Sequence, residues 1–192
     1  IILDDIAILT HMGTESRQPE VEHLAQTLAR YRPLKRIEAP GQLEGGDVLR
    51  LGKTLFVGIS KRSNQEGVNQ LATIASSHFY TVKSAEISGC LHLKTGCSYL
   101  GRNTILLNPS WGPASLFVGY TLINIDPSEP FAANALLLGD TILYPLGFPK
   151  TQAKLEQKGF KLHLLDISEL QKAEAGLTCL SQVFEVLPHT IY

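Results

Sequence analysis

LRLGKTLFVGI (residues 49–59) returns twice, as SYLGRNTILLN (98–108) and as LLLGDTILYPL (136–146), and this echo points to a modular architecture. Each copy sets Leu-Gly and a polar residue between two apolar runs. Glycine turns a chain tightly at no steric cost, so two β-rich runs around one read as a hairpin. Behind the first hairpin, KRSNQEGVNQLATIASS (61–77) puts Val68, Leu71, Ala72 and Ala75 at helical spacing, and HFYTV (78–82) then reads as a strand. Behind the third comes PKTQAKLEQKGF (149–160), with Pro149 suited to a first helical turn and Gly159 to a helix end. KLHLLD (161–166) reads as the following strand.

The repeated unit is therefore strand, turn, strand, helix, strand, at a period of about 40–50 residues, which implies modules set in a row or around an axis. DDIAILT (4–10), with the helix PEVEHLAQTLARY (19–31) behind it, looks like a module whose first strand is absent. PSWGPASLFVGY (109–120) is rich in Gly and Pro and reads as loop. The expected fold class is α+β, a single domain over residues 1–192 built from repeated ββαβ units.

Composition bounds what such a domain does. Hydrophobic residues make up 44% and charged residues 18% of 192, enough apolar material to bury a core. Seventeen basic and 18 acidic residues are mixed along the chain without a basic stripe, which argues against a nucleic-acid partner. No apolar run approaches the roughly 20 residues that span a bilayer. Three cysteines without CxxC spacing argue against a disulfide framework or a common zinc site and for a reducing cytoplasmic setting. The chain opens on IILDDIAIL with no start methionine or signal peptide, and the expectation is that residues precede Ile1.

Several residues stand apart as candidates for chemistry, each with a plainer reading beside it. In AEAGLTCLS (173–181), Cys179 falls between a helix-like run and the strand-like LSQVFEV (180–186), and is either a small core residue or a nucleophile. His92 in GCLHLKTGC (89–97) shares a strand face with Lys94 if Leu91 and Leu93 share the other, and is a solvated histidine or an acid–base group. Glu44 and Asp47 enclose two glycines in LEGGDVL (43–49), a pattern for a turn or for close backbone approach to a ligand. Asp4 and Asp5 interrupt an apolar strand and point opposite ways along it, so one faces inward, hydrogen-bonded or functional. Arg17 and Arg62 precede helices, where a surface role is the default. Together a thiol, an imidazole, carboxylates and arginines suit a small amphoteric molecule such as an amino acid.

LEGGDVL, FVGISKRSNQEG, LHLKTGCS, FAAN and ELQKAEAGLTCLS, in that order, resemble the dimethylarginine dimethylaminohydrolase family of the guanidine-modifying, or pentein, superfamily. The resemblance runs from DDIAIL to TCLS. LEGGD is shared across the superfamily, whereas HLK with SKRxNQ and LTCLS points to the dimethylaminohydrolase branch. Arginine deiminases typically carry HLD, from which Lys94 departs.

The resemblance implies a pentein-type α/β propeller of ββαβ modules with the first module incomplete. It also implies a hydrolase that converts N-methylated arginine to citrulline through a covalent cysteine intermediate, with no metal or organic cofactor. By resemblance Cys179 is the nucleophile, His92 the general acid and base, and Glu44 the carboxylate that orients and charges the histidine. Asp5 matches the acid that holds the guanidinium, and Asp4 stands where the family usually has glutamate. Arg17 and Arg62 match positions that hold the substrate α-carboxylate. The implied partner is a guanidino amino acid, and a homo-oligomer is compatible with the reading. Family members normally carry a further segment ahead of the DDIAIL strand, with a lid loop and another acidic contact. Two rivals remain: an arginine deiminase or other guanidine hydrolase, and a catalytically silent pentein whose open first blade is completed by another chain through strand addition.

Overall fold

The structure is a computed structural model, and it describes residues 1–179 and 181–186. These form two compact units, Ile1–Ser84 with the described residues from Val183 on, and Ala85–Gln182.

The first unit opens with a tight reversal. Ile2 and Ala7 form an antiparallel bridge, and Leu3 N–H donates to the Ile6 carbonyl at 2.9 Å, which leaves Asp4 and Asp5 at the tip. The expected continuous strand over DDIAILT is thus corrected: strand β1 is only Ala7–Leu9. Leu3 and Ile6 are buried at 1% and 3% exposure, and reversing the chain between them keeps two adjacent carboxylates in water. Helix α1 (Gln18–Leu28) carries Pro19 in its first turn, where the missing N–H costs nothing, and leads to β2 (Leu34–Arg36), parallel to β1.

Strands β3 (Val48–Leu51) and β4 (Thr54–Ile59) form the first expected hairpin, turning at Gly52 with φ of 55°. Helix α2 (Gln65–Ser76) follows. Asn64 caps it by accepting from Gly67 N–H at 2.8 Å, and the same oxygen accepts from Gln42 N–H at 2.9 Å. A Cβ on Gly67 would lie 2.2 Å from the Gln42 carbonyl oxygen, so NQEG is spelled by a cap and a close approach of two backbones. HFYTV joins the strand expected of it only through Thr81 and Val82. His78, Phe79 and Tyr80 N–H groups bond back to Ala75 and Ser76 to finish the helix, and β5 begins later, at Thr81–Glu86. The sheet order is β3-β4-β5. Leu3, Ile8, Leu43, Leu55, Val57 and Leu71 fill the core.

In the second unit LHLKTG is not a strand. Leu93–Gly96 is a single helical turn, α3, with His92 at its N-cap. Leu93 is buried at 1% while Leu91 is 38% exposed, so the two leucines do not share a face. Strands β6 (Cys97–Tyr99), β7 (Thr104–Leu107) and β8 (Thr121–Asn124) follow, ordered β6-β7-β8. The stretch expected to be loop holds one 3-10 turn, Ala114–Phe117, where the module needs its crossover. Strands β9 (Leu136–Leu138) and β10 (Thr141–Pro145), helix α4 (Pro149–Gln157) and β11 (Leu162–Leu165) complete the next module. Gly159, at φ of 74°, ends α4 as expected: its N–H reaches Glu156 O and Phe160 N–H reaches Leu155 O.

A short helix α5, Ser168–Gln171, precedes the Cys179 loop. The strand expected over LSQVFEV is absent from residues 181–186, and Leu180 lies outside the described residues. That segment is held by side chains instead. Phe184 meets the Tyr31 ring edge-on at 5.4 Å, and Arg32 Nη2 donates to the Glu185 carbonyl at 2.5 Å.

In the three full modules the second strand lies in the middle. It is antiparallel to the first in each, and parallel to the third in the sheets of β7 and β10.

Candidate active site

In the first unit the organising group is Asp47, with no exposed surface. Its Oδ2 accepts from the Ser60 and Ser63 hydroxyls, both at 2.7 Å. Ser63 Oγ in turn accepts from Glu44 N–H at 3.0 Å, and Ser60 Oγ from Arg62 N–H at 2.9 Å. One buried carboxylate thereby ties the LEGGD loop to the SKRS loop and sets the backbone of both Glu44 and Arg62. Burying such a charge is costly, and hydrogen bonds to both serines offset that cost.

Glu44 is 2% exposed, with Arg17 Nη1 and Arg62 Nη1 each 3.7 Å from one of its oxygens. Gly13 packs on Arg62, whose carbonyl oxygen would sit 3.0 Å from a Cβ there, so the loop carrying Arg17 and the loop carrying Arg62 close on each other. Arg17 also grips Glu20 through Nε at 3.1 Å and Nη2 at 3.0 Å, which holds the Glu20 carboxyl below its usual range. Two guanidinium groups around one carboxylate make a place for an anion to exchange partners.

Asp4 and Asp5 belong to other contacts. Asp4 pairs with Arg50, and with Lys53 Nζ at 2.7 Å; Asp5 Oδ2 meets His78 Nδ1 at 2.6 Å. Lys53 first, then Tyr80 and Arg50, draws the Asp4 carboxyl down to about 2. The structure therefore gathers Arg17, Arg62 and Glu44, and it puts Asp4 and Asp5 on a separate, exposed turn.

In the second unit the cysteines sort by environment. Cys97, on β6, has no exposed surface, donates to the Leu93 carbonyl at 3.4 Å, and has its thiol pushed up by burial. Cys90 is half-buried and donates to the His92 carbonyl at 3.3 Å. Cys179 is a free, exposed thiol, which removes its reading as core filler. Its Sγ accepts from Gly176 N–H at 2.8 Å and donates to Gly176 O at 3.1 Å, so the loop folds its own backbone around the sulfur.

His92 stands at the head of α3, where its carbonyl accepts from Thr95 N–H at 3.0 Å. Asn134 reaches both pieces: Nδ2 donates to Lys94 O at 2.9 Å and to Thr178 Oγ1 at 2.8 Å, while Oδ1 accepts from Thr178 N–H at 3.3 Å. Asn134, Thr178, Ser60 and Ser63 received no role from the sequence. The available signal for Asn134 was a lone amide closing the small apolar run FAAN. Among the described residues no three His, Cys, Asp or Glu side chains gather as a metal site requires.

The family described as Arginine deiminase matches residues 7–122. The N(G),N(G)-dimethylarginine dimethylaminohydrolase of Pseudomonas aeruginosa is 34% identical over 180 residues, spanning 93% of this chain and 71% of that protein. The Streptomyces coelicolor protein of the same name is 33% identical over 183 residues, spanning 94% and 70%. A solved structure of the Pseudomonas aeruginosa protein, a cysteine-to-serine variant complexed with citrulline, superposes with a TM-score of 0.86 at 33% identity, covering 93% of this chain and 71% of that one. With its repeated ββαβ modules, the molecule has the α+β pentein fold of guanidine-modifying enzymes. The similarity narrows it further. The chain belongs to the dimethylarginine dimethylaminohydrolase branch of the arginine deiminase family.

Proposed function

We propose that the protein hydrolyses N-methylated arginine to citrulline and the methylated amine, a reaction at a C–N bond of a linear amidine. The observation that carries this reading is the 34% identity to a named dimethylarginine dimethylaminohydrolase across 93% of the chain. The exposed Cys179 thiol, in the same unit as His92, supports it.

A guanidinium carbon is a weak electrophile because its charge is delocalised, so the reaction needs a strong nucleophile and a fixed cation. The Cys179 thiolate attacks that carbon to give a tetrahedral adduct. Dimethylamine departs only with an added proton, which His92 donates. The resulting S-alkyl thiouronium is attacked by a water that gives its proton to His92. Citrulline leaves and the thiolate returns, so the net change is addition of water and loss of dimethylamine.

Arg17 and Arg62 are assigned to the substrate α-carboxylate, and Glu44, flanked by the two guanidinium groups, is assigned as a catalytic carboxylate. Asp5 and Asp4 are the acids assigned to the guanidinium, an assignment that requires Asp5 to exchange His78 for substrate. A reducing cytoplasmic setting belongs to the same reading, supported by three cysteines that all carry free thiols.

Arginine deimination is the second reading, favoured by the match of residues 7–122 to the Arginine deiminase family. A citrulline assay with asymmetric dimethylarginine and with arginine separates the two. Turnover of the methylated substrate that vanishes in Cys179→Ser and His92→Ala is expected. Turnover of arginine alone moves the assignment to a deiminase, and silence with both points to a binding module.

A further inference from the structure

We infer that Asn134 is a positioning residue that holds the Cys179 loop and the His92 turn in one fixed relation; for its catalytic consequence the inference rests on the hydrolase reading above. Asn134 stands on a backbone with little freedom. Tyr144 donates its hydroxyl to Ala132 O at 3.0 Å, and Ser98 donates to Ala133 O at 2.6 Å. Ser98 Oγ accepts from Ala135 N–H at 2.8 Å. Ala132, Ala133 and Ala135 are buried, so the segment is bolted down on either side of the one polar side chain that projects from it.

That side chain makes two kinds of contact that only an amide supplies together. Lys94 O can only accept and Thr178 N–H can only donate, so Nδ2 must face the first and Oδ1 the second. The second Nδ2 hydrogen then meets Thr178 Oγ1, which gives a two-point grip on Thr178. Gly176 lies flat against the same amide: a Cβ there would stand 2.7 Å from Asn134 Oδ1 and 2.8 Å from Cγ. Gly176 is also the residue whose N–H and carbonyl both engage Cys179 Sγ.

The path from the thiol therefore runs through Gly176 and Thr178 to Asn134. From there it runs through Lys94 to the turn that His92 heads. Asn134 touches neither the thiol nor the imidazole in these contacts, so its effect is on where they stand. Misplacement of reacting groups by about 1 Å costs on the order of a hundredfold in rate.

The test uses the full chain with Asn134→Ala, Asn134→Asp, Thr178→Val and Thr178→Ser. Two readouts are taken: citrulline kinetics, and the pH dependence of Cys179 alkylation by iodoacetamide, followed by mass. Asn134→Asp keeps the shape but sets an oxygen against Lys94 O. Both Asn134 variants are expected to lower kcat roughly tenfold to a hundredfold with KM within about threefold. Both are also expected to move the alkylation midpoint by about half a pH unit or more. Thr178→Val reproduces part of this, and Thr178→Ser, which keeps the acceptor, recovers most of what Thr178→Val loses.

Folded Asn134 variants with wild-type kcat and an unmoved alkylation midpoint overturn the proposal. Should neither Asn134 variant fold, an identical midpoint in Thr178→Val and Thr178→Ser overturns it equally. If the wild-type chain releases citrulline from neither substrate, the hydrolase reading fails, while the alkylation profile still decides whether Asn134 sets the thiol.

Discussion

The LEGGD loop and the Asp4–Asp5 turn each set two carboxylates close together in sequence, and the molecule treats them in opposite ways. Asp47 and Glu44 are buried, with Asp47 Oδ2 accepting from two serine hydroxyls and Glu44 flanked by two arginines at 3.7 Å. Asp4 and Asp5 are exposed and are answered by surface cations and a histidine. A buried acid is tolerated only where a built set of donors replaces water. An exposed one is free to change partners at little cost. The same contrast divides the thiols, Cys97 sealed in β6 and Cys179 open on its loop. What differs is the degree to which the surroundings have been committed to the group.

The largest effect is expected where an open group does chemistry. Cys179→Ser should lower citrulline formation by about a thousandfold or more. Cys97→Ser, by contrast, should leave kcat/KM within about threefold and cost roughly 1–2 kcal/mol in a denaturant titration. Equal losses of activity in the two variants would erase the distinction between the thiols.

Next comes the buried acid. Asp47→Ala leaves two serine hydroxyls facing a void and should cost about 3 kcal/mol of unfolding free energy. A loss under about 0.5 kcal/mol would show that the two loops hold together without it. Arg62→Ala tests the neighbouring pair. KM should rise about tenfold with kcat within about threefold, since a binding contact is lost rather than a reacting group.

The smallest effect on stability belongs to the exposed turn. The Asp4 carboxyl lies at about 2 in the folded chain, below the value of about 3.9 for an unperturbed aspartate. Because folding depresses it, the stabilisation is present above about pH 4 and is lost as pH falls toward 2. The side chain is 50% exposed, so the pairing is worth less than about 1 kcal/mol. Asp4→Asn should flatten the acid limb of a stability–pH curve by that amount and leave stability at neutral pH almost unmoved.

The sequence made the modules legible because turn glycines and apolar runs are local signals: Gly52, Gly101, Gly139 and Gly159 all adopt positive φ, at or just beyond the turns and the helix end where they were expected. It misled wherever tertiary contacts outweighed periodicity. Leu91 and Leu93 alternate like a strand, yet only Leu93 finds the core, and the chain turns at His92. DDIAILT reads as one continuous strand too, but two adjacent charges are better hydrated at a tip than divided across a sheet. Arg17, Glu44 and Arg62 were each visible as singular residues, but not the serines that join two of them, because Ser60 and Ser63 look like ordinary loop polar groups. FAAN does not reveal what Asn134 does, since its partners are a carbonyl and a threonine 40 and 44 residues away.

The placement of the second strand at the centre of each three-stranded sheet shapes how the chain breathes. Sheets of strands this short do not persist alone, and the outer strands share their ladder on one side only. Amide protons along β4, β7 and β10 should therefore outlast all others in deuterated solvent, giving three separate slow-exchanging stripes.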